Sequence, residues 1–153
     1  MAMTDAGGSA SKVIGAGPFC FVTAGGVWRK GDPIGLSGTS FVRADDNGGI
    51  IAEFVAATDA ASGQTRCKLY SYAVIEGQRF SGNVAGSVVY VSDTAGRYSE
   101  SAGTNSRPIG YSLDADSIVA MPRAYLSLTS GFTITSGTSE IGDDHNWSWS
   151  NPT

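Results

Sequence analysis

GSVVYVSDTAGRYSES, residues 86–101, decides the class of fold. It reads as a strand, a tight turn and the start of a second strand. Val88 and Tyr90 alternate with Val89 and Val91, the period-two pattern of a pleated strand. Asp93–Gly96 supplies residues that tolerate the dihedrals of a tight turn. Both faces of the strand are apolar, so it reads as buried on both sides, in a barrel wall or against a partner. No reactive side chain sits at the tip.

The same text recurs outward from this hairpin. PFCFVTAG puts Phe19 and Phe21 on one face and Cys20 and Val22 on the other. ADDNGG, residues 44–49, holds a turn at Asp46–Gly49 that needs positive φ at its tip. IIAEFVAAT reads as a strand or as one short helix. TRCKLYSYAVIEG opposes Cys67, Leu69 and Ser71 to Lys68, Tyr70 and Tyr72. QRFSGNVAGSVVYVSDTAGRYSES reads as strand, turn, strand, turn, strand. RPIGYSLDADSIVAMPRAYLSL adds two more strands around Asp114-Ala115-Asp116. Pro108 and Pro122 sit at strand edges, where a missing N–H costs least. No stretch of a dozen residues carries a 3.6 period. Gly is 21 of the 153 residues, which suits turns and bulges and weakens helices.

One internal echo is present. KGDPIGLSGTSFVRAD, residues 30–45, resembles AGSVVYVSDTAGRYSE, residues 85–100. Gly31 matches Gly86, Ile34 matches Val89, Leu36 matches Val91 and Ser37 matches Ser92, with one residue inserted in the second turn. The echo reads as two hairpins of one type rather than a duplicated domain.

The expected fold is all-β, a small β-barrel or β-sandwich of short antiparallel strands with extended arms. Residues 1–12 read as an N-terminal arm, 13–125 as the core domain and 126–153 as a C-terminal arm. The last segment is Ser/Thr/Gly-rich and has no Lys or Arg after Arg123. Such text cannot build its own core. Phe132 and Ile134 share a face in it, as do Trp147 and Trp149. These four are the candidate partner-binding residues, because Trp anchors interfaces.

Charged residues are 16% of the chain, and the net charge is −4. No Lys/Arg cluster exists, which speaks against direct nucleic-acid binding. No apolar run reaches the roughly 20 residues of a membrane span, and no signal-peptide core opens the chain. Cys20 and Cys67 read as small buried hydrophobes in strands, with a disulfide left open.

Candidate chemistry is thin. His145, the lone histidine, lies in the C-terminal segment between Asp144 and Asn146, a poor place for a catalytic base. GLSGT, residues 35–39, misses the nucleophile-elbow spacing. ADDNGG lacks the ligand series of a calcium loop, and SLDAD reads as a solvated turn. GAGP lacks the rest of a dinucleotide fingerprint. Trp28, Tyr70, Tyr72, Tyr98 and Tyr111, with Trp147 and Trp149, offer either a sugar-stacking platform or, inside strands, core packing. The expectation is therefore a non-enzyme with no cofactor and no metal.

GSVVYVSDTAGRYSES followed by RPIGYSL and DSIVAMPRAYLSL, with GDPIGLSG upstream, resembles the head-decoration, or capsid cement, proteins of tailed bacteriophages. The resemblance spans residues 20–125. It implies a compact β-body, often trimeric, that clamps adjacent major capsid protein subunits on the outside of an icosahedral virion, made in the host cytoplasm. The Trp-bearing segment 126–153 departs from the shorter members. The alternative is a β-sandwich module on a phage head or tail that recognises a host-surface glycan or protein.

Overall fold

The computed structural model describes residues 11–122. It is all-β, with strands β1 (Ser11–Ala16), β2 (Phe19–Val22), β3 (Pro33–Ser37), β4 (Ser40–Arg43), β5 (Ala52–Ala56) and β6 (Cys67–Tyr70). These are followed by β7 (Ala73–Gly77), β8 (Val88–Val91), β9 (Tyr98–Ser99), β10 (Pro108–Asp114) and β11 (Ser117–Ala120). The strands form two antiparallel sheets, ordered β1-β7-β11-β10-β8-β9 and β2-β6-β5-β3-β4. They pack as a small β-sandwich.

Advancing each label of the five-stranded order by five turns it into β7-β11-β10-β8-β9, which is the larger sheet without β1. The match extends to register. In β3–β5 the pairing slips between Ile34 and Gly35, and Glu53 bulges out. In β8–β10 it slips at the matching place, and Ile109 bulges out. The turns that lead into β3 and β8 begin at Gly31 and Gly86, with φ of 88° and 84°. Each intervening loop also buries one large aromatic, Trp28 or Phe80. The echo is thus one part of a five-strand repeat, residues 19–70 and 73–120, and not merely two similar hairpins. The second hairpin turn is also longer than one insertion: Ser37–Ser40 joins Leu36 to Phe41, while Ser92–Arg97 joins Val91 to Tyr98.

The core is two clusters. The larger holds Ile75, Val89, Val91, Tyr98, Ile109 and Ile118 with Ala52 and Val55 of the other sheet. The smaller gathers Trp28, Ile34, Ala56, Cys67 and Leu69. Paired residues on adjacent antiparallel strands share a face. Val55↔Tyr70 faces the larger cluster and Ala56↔Leu69 the smaller, so β5 is covered on both sides, while on β6 the Tyr70 side is only partly buried against the larger cluster and leads out to the half-buried Lys68. Each fully buried aliphatic side chain contributes about 1.5–3 kcal/mol, and these sites hold the sheets together.

Three expectations need correction. Gln78–Phe80 is a 3₁₀ turn, not a strand: Arg79 turns inward to an ion pair and Phe80 into the core. Within the described residues β8 is buried on one face only, so it is not a barrel wall covered on both sides. Val89 and Val91 are 0% and 1% exposed, while Val88 and Tyr90 are half-buried. Among the described residues no second layer covers that side, and valine and tyrosine suit a half-buried strand surface there. Cys20 is half-buried, because β2 is the outermost strand of its sheet. IIAEFVAAT resolves as the strand β5, and Asp46–Gly49 forms its expected turn with Gly49 at φ 75°. Ser11 and Lys12, at the end of the expected arm, are the first residues of β1.

Candidate interaction surface on a bent ribbon

β1–β2 and β6–β7 run as one bent antiparallel ribbon from sheet to sheet. Gly17 N donates to Tyr72 O at 3.0 Å and Ser71 N to Pro18 O at 2.9 Å, carrying the ladder through the bend. Phe19 pairs with Tyr70 and Phe21 with Lys68. Alternation therefore places Gly17, Phe19, Phe21, Lys68, Tyr70 and Tyr72 on one face. A Cβ at Gly17 would stand 2.2 Å from the Tyr72 ring, so glycine is what lets that ring lie across the ribbon.

This face is exposed. Phe19, Phe21 and Tyr72 are 56%, 46% and 47% accessible. The Phe19 and Phe21 rings meet edge to face at 5.7 Å. Lys68 Nζ lies 4.3 Å from the Phe19 ring centre and 5.3 Å from that of Tyr70. Arg66 Cζ lies 4.6 Å above Phe21. Arg66 has φ of 56°, a left-handed conformation shared among described non-glycine residues only with Ser106. Such strain, on the order of 1 kcal/mol or more, collects at functional positions. Contiguous exposed rings make this face the candidate interaction surface, and Arg66 and Lys68 give it a positive charge.

The sequence-expected candidates fall elsewhere. Trp28 and Tyr98 are core residues at 1% exposure. Trp28 Nε1 donates to Thr58 O at 3.1 Å, and the Tyr98 hydroxyl donates to Gly31 O at 2.7 Å. Of the proposed platform, Tyr70 and Tyr72 lie on the ribbon, and Tyr111 is exposed on β10 of the other sheet. Phe132, Ile134, Trp147 and Trp149 lie outside the described residues, as does His145. The signal that marks the ribbon is Lys68. A lysine on the same parity as Tyr70 and opposite Phe21 identifies that face as the wet one.

Asp46, Asp93 and Asp114 each tie a turn or loop to its neighbours. Asp46 is buried and accepts from Asn105 N at 2.6 Å, with Arg107 Nε at 3.2 Å as an ion contact out of hydrogen-bond alignment. Asp93 accepts from the Thr104 N–H and hydroxyl, both at 2.9 Å, and these hold its carboxyl below the usual 3.8. Together Asp46 and Asp93 clip the 103–107 segment to both hairpins. Asp114 is likewise held low, by the Ser117 hydroxyl and then the Asp116 N–H. Among the described residues no group of three or more His, Cys, Asp or Glu is placed to hold a metal ion. Cys20 and Cys67 form no disulfide. No described helix is long and apolar enough to cross a membrane.

No family model matches this chain, and no curated protein or solved structure matches it either.

Proposed function

We propose that the protein is a structural virion component that decorates and stabilises an icosahedral phage capsid, bridging adjacent major capsid protein subunits. The observation that carries this reading is the edge made by β1 and β2. The two strands are continuous, they border the N-terminal arm, and they expose Ile14, Phe19 and Phe21 along one side of the sandwich. A strand edge of this kind binds by backbone ladder pairing with apolar side chains for specificity, and needs no reactive group. Modest contacts repeated over a shell become strong together. The resemblance of residues 20–125 to capsid cement proteins supplies the partner. On that resemblance the protein acts as a homotrimer on the outer capsid surface.

Cosedimentation with expanded capsids tests the reading. Deletion should stop at residue 10, because the Ser11 hydroxyl accepts from Arg79 inside the fold. The expected result is capsid binding by the full chain, weakened at least tenfold both by removing residues 1–10 and by Ile14→Asp. Full-strength binding by both variants overturns the role of the edge, and no binding by the full chain overturns the function. On the glycan-module alternative, the full chain instead binds a glycan array and loses that binding when Phe19 and Tyr72 become Ala.

A further inference from the structure

We propose that copies of this chain associate head to tail. The aromatic, cationic face of the ribbon on one copy seats against the outer face of the second repeat on the next. The inference deepens the self-association in the proposed function and rests on it.

The repeat supplies the first argument. Cys20↔Leu69 and Ile75↔Ile118 are core-facing pairs of β2–β6 and β7–β11. When these pairs are matched, Phe19 and Tyr70 fall at the places of Val74 and Val119. Phe21 and Lys68 fall at those of Glu76 and Ser117. The two outer faces are thus equivalent places in the two repeats. A contact between them approximates a two-fold contact, in which a patch meets its own counterpart.

Charge is the second. Arg66 and Lys68 lie over the rings of the first face. The second face continues from Val74 and Val119 to Tyr111, which pairs with Val119, and to Leu113, which bulges out of the β10–β11 ladder. Tyr111 and Leu113 are 39% and 40% exposed. Beside them stand Asp114 and Asp116, both exposed. Glu76 has Lys12 opposite it on β1, so the two aspartates carry the charge of this end. Each face offers exposed apolar side chains, and the charges are opposite. Two ribbon faces together would set cation against cation, so the copies meet through unlike faces.

Placement is the third. Tyr72 immediately precedes β7, and at the far end of that strand Gly77 N donates to Asp116 O at 3.0 Å. About 16 Å of extended chain therefore separates Tyr72 from the acidic turn. Each copy can then engage a different neighbour through each face. Repeated contacts of this kind close into a ring or run on as a filament, and closure after three copies gives the homotrimer of the proposed function.

Sedimentation equilibrium of the full chain tests the surface. Lys68→Glu and Asp116→Lys should each weaken self-association at least tenfold. The double variant, with the charges exchanged, should recover to within threefold of the unchanged chain. A mixture of unlabelled and ¹⁵N-labelled protein, treated with a zero-length carbodiimide cross-linker, should link Lys68 to Asp114 or Asp116 in products of mixed isotope. Self-association untouched by either single variant, no recovery in the double variant, or Lys68 links confined to one isotopic species would each overturn the proposal. An unchanged chain that stays monomeric would overturn self-association itself, and its cosedimentation with capsids reads the decoration role separately.

Discussion

Arg79 gathers four segments around one buried guanidinium. Nη1 donates to Asp32 Oδ1 at 2.9 Å and to Ser11 Oγ at 3.2 Å, and Nη2 donates to Gly96 O at 2.9 Å. The rings of Phe80 and Tyr98 each lie 5.4 Å from Cζ. Asp32 Oδ2 in turn accepts from Arg29 N at 2.9 Å. The pair thus pins β1, the loop before β3, the 3₁₀ turn and the β8–β9 hairpin. A buried pair of this kind adds little over a well-packed apolar pair, but removing one partner strands the other charge at a cost of about 3–5 kcal/mol. Arg79→Ala should therefore lower unfolding stability by about 3–5 kcal/mol in urea titration. Arg79→Met combined with Asp32→Leu should recover more than half of that loss. A loss below about 1 kcal/mol for Arg79→Ala would place the pair in the range of an exposed ion pair and sink the argument. Neither residue announces this role in the sequence. Asp32 reads as turn chemistry in GDP and Arg79 as strand text in QRF. Their meeting spans 47 positions, and local pattern carries no information at that range.

The elements themselves are largely legible, because their causes are local. Alternation marks β2, β6 and β8, and glycine marks the turns, since Gly31, Gly49, Gly86 and Gly96 all adopt positive φ. What stays hidden is how strands pair across loops of unequal length. FCFV and AVIEG share no residue in register, yet they hold equivalent places in the two repeats. The bulges at Glu53 and Ile109 are equally silent, being properties of a pair of strands rather than of one. Gly110 beside the second bulge offers a direct check. A Cβ there would stand 1.8 Å from Val119 O, a backbone atom of the neighbouring strand. Gly110→Ala should cost about 3 kcal/mol or more, as severe overpacking does, or abolish folding. Gly38 is the contrast. Its φ is 62° and nothing lies within 4 Å, so Gly38→Ala should cost only the left-handed strain of about 1–2 kcal/mol. Circular dichroism melts of the two variants decide the matter, and equal losses would show that the bulge geometry yields.

Two repeats of one topology raise the question of whether the molecule folds as one unit or two. The smaller cluster draws only on the first repeat, which favours independence. Three couplings oppose it. Ala44, Ala52 and Val55 of the first repeat complete the larger cluster of the second. The ribbon carries one continuous ladder through the bend, so β6 and β7 cannot part without breaking pairs on both sides of it. Asp32 and Arg79 come from opposite repeats, and so do Asp46 and Arg107. Opening one repeat would expose the apolar side chains of Val55 and Ile75 and strand two ion pairs together. That is more than a marginally stable domain of this size withstands. The expected result is a single unfolding transition, with calorimetric and van't Hoff enthalpies equal and with tryptophan fluorescence, led by buried Trp28, coincident with far-UV dichroism. Two separated transitions would assign the repeats their own stabilities and make the shared cluster an interface between domains. On the decoration role proposed above, a single transition is also the expected behaviour: a body holding neighbouring subunits would have to carry force from sheet to sheet, and the bent ribbon and the Arg79–Asp32 pair are the links that join the two repeats.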